Sequence, residues 1–373
     1  MAIDLSRRDF LVLSSAASLA GCASPQAARR APGDATLAFD ALELKLRHTW
    51  TIARGSSDAK KNGLLTLTAD GVAGYGEAAP NVRYHQSFDS ASAAFDRIRE
   101  ATRGLSPWEH RVWIERAESV AGEDSEVVAA LDAALWDWKG KRCGQPIWRL
   151  LGTSEATMPV TSFSIGIDTP DAMAAKTREA SAYPLLKLKV GLGDDEANVR
   201  AVRGTTTKPI RVDANEGWKT ADEAVERIRW LASQGCELVE QPLAAANRDG
   251  NLEVTARSPI PVVADEATLR VSDLRAAAGA YAGVNVKLSK CGGITRALDM
   301  LTVARALGLK VMLGCMIESS LGIAAGVAIA PLFDWVDLDG NLLVANDPFA
   351  GLEMRDGRWR LPQTPGLGVA RTS

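Results

Sequence analysis

Several features are absent from the 373-residue sequence, and each absence excludes a class of protein. No hydrophobic run reaches the roughly 20 residues that a membrane-spanning helix needs. Neither sign of charge dominates, since 43 basic and 46 acidic residues leave a formal net charge of −3. This balance gives no indication of a nucleic-acid-binding surface, so we expect no nucleic-acid partner.

Paired cysteines are also missing. The five cysteines are scattered and form no C-x-x-C motif, so we expect none of them to bind a metal ion. They are Cys22, Cys143, Cys236, Cys291 and Cys315. Disulfide bonds are possible in an oxidising compartment, but a globular core of this size does not need them.

The first residues resemble an export signal. Two arginines in "SRRDFL" (residues 6–11) precede a short apolar stretch (10–20), and "LAGC" ends at Cys22. The arginine pair resembles a twin-arginine signal, and "LAGC" resembles a bacterial lipobox, in which the cysteine is lipidated. We predict an export signal with lipobox over residues 1–22, a tether over 23–35, and a periplasmic protein that meets the membrane only through its lipid anchor. The alternative is a chance basic and apolar start on a cytoplasmic protein.

From about residue 158 the sequence alternates between short β-rich runs and helical patterns. The eight runs are 160–167, 185–190, 210–215, 237–242, 261–266, 283–288, 310–315 and 334–339. Eight strand–helix units predict a closed (β/α)₈ barrel of the TIM type over residues 158–339. A doubly wound open sheet is the alternative, although the strand count and the lack of a G-x-G-x-x-G motif disfavour it.

The N-terminal part follows a different pattern. Residues 36–78 resemble an antiparallel meander, whereas residues 89–142 have the apolar spacing of helices. We predict that residues 36–157 form an α+β domain that caps the barrel, and that the segment 340–373 returns to this domain. The predicted fold class is α/β, with the α+β cap completed by the C-terminal tail.

Acidic residues end three consecutive predicted strands of the barrel. Asp213, Glu240 and Asp265 lie towards the C-terminal ends of the third, fourth and fifth runs, so their carboxylates should converge at the barrel mouth. Three carboxylates without histidine or cysteine form a hard oxygen site that suits one Mg²⁺ ion, or Mn²⁺ in its place. The alternative is that each carboxylate caps a helix or pairs with a lysine.

Lysines end the second and sixth runs. Lys187 and Lys189 share one face of the apolar strand "LLKLKVG" (185–191), and Lys287 ends the sixth run. Those two strands lie opposite each other in an eight-stranded barrel, so Lys189 and Lys287 should flank the substrate. Two opposed bases suit 1,1-proton transfer, that is, racemisation or epimerisation, with Lys187 and the metal lowering the pKa of Lys189. The alternative is that the lysines only neutralise the acidic cluster.

Together these residues resemble the enolase superfamily, whose members use lysine or histidine bases with Mg²⁺. The K-x-K motif, the three carboxylates and "NVKLSKCGG" (285–293) resemble its muconate-lactonising subgroup over about residues 36–373. The mandelate-racemase subgroup would need a histidine base after the seventh strand. The three histidines, His48, His85 and His110, all precede the barrel. Cycloisomerases, o-succinylbenzoate synthases and N-acylamino acid racemases of the same subgroup remain alternatives.

Two further motifs resemble those of dipeptide epimerases. "VDLDGN" places Asp337 and Asp339 at the end of the eighth strand, where such a pair binds the free ammonium group of a dipeptide. "TIARGSSDA" (51–59) resembles a specificity loop in which Arg54 would pair with a side-chain carboxylate of the substrate. The alternatives are two aspartates that cap a helix and an arginine that is a solvated loop residue.

The resemblance therefore implies a Mg²⁺-dependent dipeptide epimerase that inverts the α-carbon of the C-terminal residue, with L-Ala-D/L-Glu from murein peptides as the expected substrate. A peptide-binding lipoprotein is the alternative from another class, and it predicts no need for a metal or for the lysine pair. A dipeptide is the expected partner, and the chain could form a homo-oligomer. Cys315, Met316 and Glu318 are expected to line the pocket.

Overall fold

A computed structural model describes residues 35–372 of the chain. The predicted export signal, the lipobox cysteine Cys22 and nearly all of the predicted tether lie outside these residues. Within the described residues, no helix combines the length and the apolar character needed to cross a membrane.

An antiparallel sheet opens the fold. Its strands are, in order, β1 (Thr36–Ile52), β2 (Gly55–Ala69) and β3 (Val72–Ala78). The predicted loop over residues 51–59 is wrong, because β1 and β2 continue pairing to the end of their hairpin and leave Arg54 at its tip. The polar sequence of this segment resembles a loop, but cross-strand pairing satisfies its backbone groups. A bulge between Lys45 and Trp50 interrupts the hairpin register.

Helices cover the sheet. They are α1 (Phe88–Ala101), α2 (His110–Ala121), α3 (Ser125–Cys143) and the short α4 (Ile147–Leu150). Helix α3 is buried on nearly all sides because it contacts both the sheet and the barrel. Its close approach to β3 requires glycine, since a Cβ atom on Gly76 would overlap the backbone carbonyl of Ala130.

The barrel contains eight parallel strands. They are β4 (Phe163–Ile165), β5 (Leu186–Lys189), β6 (Ile210–Asp213), β7 (Cys236–Glu240), β8 (Val262–Ala264), β9 (Gly283–Lys287), β10 (Lys310–Gly314) and β11 (Trp335–Asp337). Neighbours in sequence pair with each other, and a bridge between Thr161 and Val336 joins the two ends of the sheet. This arrangement confirms the predicted barrel and contradicts the doubly wound alternative.

Helices surround the barrel strands. They are α5 (Pro170–Glu179), α6 (Asp195–Arg203), α7 (Ala221–Ser233), α8 (Arg248–Arg257), α9 (Leu274–Ala277), α10 (Leu288–Cys291), α11 (Ile294–Ala306) and α12 (Ser320–Ile329). Helix α7 shows why these segments fold as they do. The Thr220 hydroxyl accepts a hydrogen bond from the Glu223 amide, and Val225 and Ile228 are buried on one face.

The C-terminal segment contacts both parts of the molecule. Its short strands pair as β12 (Phe349–Ala350) with β15 (Ala370–Arg371), and as β13 (Met354–Arg355) with β14 (Arg358–Trp359). The Ala345 amide donates to the Lys45 carbonyl at 2.8 Å, and the Leu367 amide donates to Asp137 Oδ1 at 2.8 Å. The Trp359 indole donates to the Leu338 carbonyl of the barrel at 2.9 Å. The tail therefore ties the N-terminal domain to the barrel.

Candidate active site

The carboxyl ends of the barrel strands form the floor of a cavity of about 700 Å³. The tip of the β1–β2 hairpin and residues 79–85 cover this floor from the N-terminal domain. Loops of a barrel meet at this end, which is where enzymes with this fold hold their reactive groups. The predicted site residues that line the cavity are Arg54, Lys187, Lys189, Asp265, Lys287, Asp337 and Asp339.

The three predicted metal ligands come together in the floor. One carboxylate oxygen from each of Asp213, Glu240 and Asp265 lies within 4.8 Å of the other two, and each residue is at most 1% exposed. Strand register explains the convergence, because Asp213 pairs with Glu240 across β6 and β7. Three buried carboxylates are a donor set that fits Mg²⁺. The residues present therefore fit the predicted metal.

Lysines and burial set the charge of these carboxylates. Burial alone would raise the pKa of Asp213, but Lys189 and Lys187 lower it to about 2. Lys287 and Lys290 likewise hold the pKa of Asp265 well below its usual value against the effect of burial. Burial and the neighbouring Asp213 instead raise the pKa of Glu240 to about 7.

Lys189 and Lys287 belong to opposite sides of the floor. They end β5 and β9, and three strands separate these two strands in either direction around the barrel. Lys189 Nζ lies 2.5 Å from Asp213 Oδ2, and Lys287 Nζ lies 2.7 Å from Asp265 Oδ2. Burial lowers the pKa of Lys287, but Asp265 and Glu240 raise it by more, so its net pKa is above the usual value. The two lysines are therefore paired with carboxylates of the same cluster that was predicted to bind the metal.

Lys187 links three carboxylates beneath the cavity. Its Nζ lies 2.6 Å from Glu240, 2.8 Å from Asp337 and 3.3 Å from Asp213. Despite full burial, these carboxylates keep the pKa of Lys187 well above its usual value. Lys187 and Lys189 both reach Oδ2 of Asp213. The predicted lowering of the Lys189 pKa stays a prediction.

Asp337, the last residue of β11, and Asp339, two residues further on, have different partners. Asp337 accepts hydrogen bonds from Ser162 Oγ at 2.6 Å and Lys187 Nζ at 2.8 Å, so both of its oxygens are occupied. Asp339 accepts the Ser164 amide on Oδ2 at 2.5 Å, and its other oxygen has the Cys315 thiol 4.0 Å away. Burial and Asp337 raise the pKa of Asp339 to about 7. Neither side chain caps a helix, so Asp339 is the one available to a ligand.

Sequence reasoning missed two polar residues of the floor. Lys290 Nζ lies 2.6 Å from Asp265 Oδ1 and donates to the backbone carbonyls of Asp265, Thr268 and Asn285. The Asn285 amide donates to Glu240 Oε1 at 2.7 Å. Asn285 was detectable, because it lies two positions before Lys287 on the same strand face. Lys290 follows the strand on α10, where no strand periodicity applies.

Arginines of the N-terminal domain close the cavity against the barrel. Arg54 Nη1 lies 2.7 Å from Glu266 and donates to the Asn215 carbonyl at 3.0 Å, and its side chain is 29% exposed. Arg54 is therefore not a solvated loop residue, although its pairing with a substrate carboxylate stays a prediction. Arg83 donates to both oxygens of Glu216 at 2.8 and 2.9 Å. These pairs join the hairpin tip and segment 79–85 to the loops after β6 and β8.

The segment after β10 contributes less to the cavity than predicted. Cys315 and Met316 line the cavity, but Glu318 does not. Its carboxylate instead accepts the Met316 amide at 3.2 Å. Burial and Glu77 raise the pKa of Glu318 to about 8. The expectation that Glu318 faces the pocket is therefore wrong, because its side chain folds back onto its own loop.

The fold and floor define a capped (β/α)₈ barrel with a carboxylate metal site between opposed lysines. Residues 39–152 match the family Mandelate racemase / muconate lactonizing enzyme, N-terminal domain, and residues 171–371 match the family Enolase C-terminal domain-like. The chain belongs to the mandelate racemase/muconate lactonizing enzyme family of the enolase superfamily.

Similar proteins of this family include several epimerases. The L-Ala-D/L-Glu epimerase of Bacteroides thetaiotaomicron is 38% identical over 340 residues, which cover 91% of this chain and 88% of the relative. The L-Ala-D/L-amino acid epimerase of Pedosphaera parvula is 41% identical, covering 87% of this chain and 95% of the relative. A dipeptide epimerase from Enterococcus faecalis, solved with Mg and L-Leu-L-Tyr, has a TM-score of 0.85 and 29% identity, covering 91% and 100% of the two chains.

Proposed function

We propose that this protein is a dipeptide epimerase that inverts the α-carbon of the C-terminal residue. The observation that carries the proposal is the opposition of Lys189 and Lys287 across one cavity, each hydrogen-bonded to a carboxylate of the same buried triad. The epimerase names of the similar proteins support the reaction class. L-Ala-D/L-Glu released from murein peptides is the proposed substrate.

Asp213, Glu240 and Asp265 would hold the Mg²⁺ ion. When bound, the ion would offset the negative charge that develops on the substrate carboxylate as the α-proton leaves. Lys290 and Asn285 fix the orientation of two of these side chains through their hydrogen bonds to Asp265 and Glu240. Such outer contacts hold ligands in position before the metal arrives.

The two lysines divide the proton transfer. The neutral amine of one lysine takes the α-proton and becomes an ammonium group, and the ammonium of the lysine opposite donates a proton to the other face of the carbon. One C–H bond breaks and one forms, so the substrate is inverted without a change in oxidation state. The lysines exchange roles for the reverse reaction, because each serves as base for one of the two epimers.

Asp339 is the proposed partner of the substrate's ammonium group. One of its oxygens is held by the Ser164 amide, which orients the carboxylate while the other oxygen faces the cavity. Asp337 has a different partner, because it accepts a hydrogen bond from Lys187 Nζ. A requirement for a free amine would distinguish this enzyme from a racemase of acylated amino acids.

The experiment is incubation of the purified residue 35–373 chain with Mg²⁺ and a dipeptide library in D₂O, read by mass spectrometry. Deuterium at the α-carbon of the C-terminal residue supports the proposal. Exchange only in acylated amino acids would support the racemase alternative. Binding of peptides without any exchange would support a peptide-binding lipoprotein instead.

We also propose that the protein is exported through its twin-arginine signal and anchored by lipid on Cys22. The proposal rests on the sequence of residues 1–22. Labelled palmitate should enter the wild-type chain in bacteria but not a Cys22→Ala variant. Substitution of Arg7 and Arg8 by lysine should retain the protein in the cytoplasm. Labelling that persists in the Cys22→Ala variant would contradict the anchor.

A further inference from the structure

The cavity contains one cation that the floor does not neutralise. The lysines and arginines that line the cavity are Arg54, Lys60, Arg83, Lys187, Lys189 and Lys287. All except Lys60 lie within 4.0 Å of a carboxylate. Among residues 35–372, the Lys60 side chain has neither an ion-pair partner nor a hydrogen bond, although its backbone lies in the β1–β2 ladder.

Strand geometry fixes the direction of the Lys60 side chain. Lys60 lies on β2 two positions before Asn62, so both side chains point to the same face. The Asn62 amide donates to the Ile317 carbonyl at 3.0 Å, which places that face over the segment after β10. Lys60 and Asn62 both line the cavity, as does Ile317.

The environment of Lys60 is unfavourable in the absence of a ligand. The residue is half-buried, and burial without a compensating carboxylate lowers its pKa. An unpaired, partly desolvated ammonium group costs free energy that an anionic ligand would recover. Arg54, in contrast, is already bound to Glu266 at 2.7 Å, so a substrate carboxylate would have to compete for it.

We propose that Lys60 recognises an acidic side chain of the dipeptide, and so determines specificity for substrates with one side-chain carboxylate. This inference rests on the proposed epimerase function, and it assigns the residue that would select the acidic side chain of the substrate. Recognition is electrostatic and leaves the proton transfer between Lys189 and Lys287 unchanged. The contact would be a charge-assisted hydrogen bond from Nζ to the side-chain carboxylate.

The test compares two dipeptides that differ by one charge, L-Ala-L-Glu and L-Ala-L-Gln. The kcat/KM for epimerisation of each would be measured with Mg²⁺ for the wild type and for Lys60→Met, which retains an apolar side chain of similar length. The matched control is Lys61→Met, because Lys61 is the exposed neighbour on the opposite face of β2. Arg54→Met tests the competing assignment.

We expect Lys60→Met to lower kcat/KM for L-Ala-L-Glu about ten- to hundredfold while that for L-Ala-L-Gln stays within about twofold. Lys60→Arg should retain the preference, and Lys61→Met should match the wild type. An equal loss for both dipeptides, no loss for either, or a selective loss only in Arg54→Met would overturn the proposal.

Different results would contradict the epimerase function and the role of Lys60. If the wild type exchanges the α-proton of no dipeptide, both the epimerase function and the role of Lys60 are wrong. If the wild type epimerises L-Ala-L-Gln as fast as L-Ala-L-Glu, the epimerase function stands and only the role of Lys60 is wrong.

Discussion

The floor of the cavity and its cap hold their charged groups in different ways. In the floor, Lys187 alone contacts three carboxylates, and the residues involved are at most 8% exposed at the ends of rigid strands. In the cap, Arg54 and Arg83 are 29% and 34% exposed at a hairpin tip and in a short segment, each paired with a barrel loop. Lys60 has no such partner in the part of the chain described here.

This difference suggests a division of labour between the two regions. Buried, mutually paired charges cannot be replaced singly without leaving a partner unpaired, so they suit chemistry that needs fixed positions. Partly exposed charges on a hairpin can change with little structural cost, so they suit substrate selection. Substitutions of the mutually paired charges in the floor should therefore affect every substrate, whereas substitutions in the cap should affect substrates selectively.

The largest expected effect comes from removing one of the opposed lysines. Lys287→Ala should lower epimerisation of every dipeptide about 100- to 10,000-fold, because general acid–base catalysis of this kind contributes factors of 10² to 10⁴. The remaining Lys189 should still exchange the α-proton of one epimer with D₂O. NMR of each pure epimer in D₂O measures both quantities.

Lys189→Ala provides the reciprocal control. It should retain exchange of the opposite epimer and lose exchange of the first. If both variants exchange the same epimer, or if neither loses epimerisation, the opposed-base assignment fails.

A second prediction concerns the joint between cap and barrel. Glu77 on β3 accepts hydrogen bonds from the Asn62 amide at 2.7 Å and from the Ser319 and Gly322 amides at the start of α12. Glu77→Ala should lower the free energy of unfolding by about 3 kcal/mol, because these buried donors lose their acceptor. Urea titration measures the change. Glu43→Ala, an exposed residue of β1, should cost less than about 0.5 kcal/mol, and equal costs would contradict the role of Glu77.

Much of the floor was predictable because it depends on one rule. The C-terminal ends of parallel strands meet at one edge, so Asp213, Glu240 and Asp265 could be grouped from strand positions alone. The same rule placed Lys189 opposite Lys287 once eight strands were counted. The barrel and its helical gaps followed from apolar periodicity, which long-range contacts did not override.

The other features of the site depend on long-range contacts, which the periodicity of apolar residues does not predict. Asp337 pairs with Lys187 only because the barrel closes β11 beside β4, so sequence treated Asp337 and Asp339 as equivalent. Lys60 comes from a strand of another domain, more than 200 residues before the Ile317 segment that it faces. The hairpin over residues 51–59 forms from polar residues whose pairing depends on register, and sequence patterns give little information on register.

The third prediction distinguishes the role of Asp339 from that of Asp337. Asp339→Asn should lower kcat/KM for free-amine dipeptides about 30-fold, because the ammonium group loses its charged partner, and should leave slow turnover of N-acetylated analogues unchanged. Asp337→Asn should instead impair both substrates, since it releases Lys187 within the floor. Kinetics on the paired substrates measures the difference. Selective loss of free-amine substrates in Asp337→Asn would reverse the assignment.

The last expected effect is on stability and concerns a buried residue of the cap. Glu126 in the first turn of α3 is fully buried, and within the described structure neither of its carboxylate oxygens has a hydrogen-bond partner. Burial raises its pKa to about 8 from the ordinary 4.5. The folded state therefore binds a proton that the unfolded state releases above about pH 4.5, so this contribution to stability is complete at low pH and declines as pH rises towards 8.

Glu126→Gln should remove that decline, because the amide has no proton to lose. At pH 8.5 the variant should be more stable than the wild type by up to about 5 kcal/mol, and at pH 4.5 the two should be nearly equal. Urea unfolding across this range measures the slope, with the exposed Glu123→Gln as the control that should follow the wild type. Parallel pH profiles for the wild type and Glu126→Gln would mean that Glu126 is charged in the folded protein. The buried charge of α3 would then need a partner, as Asp213 and Asp265 have in the floor.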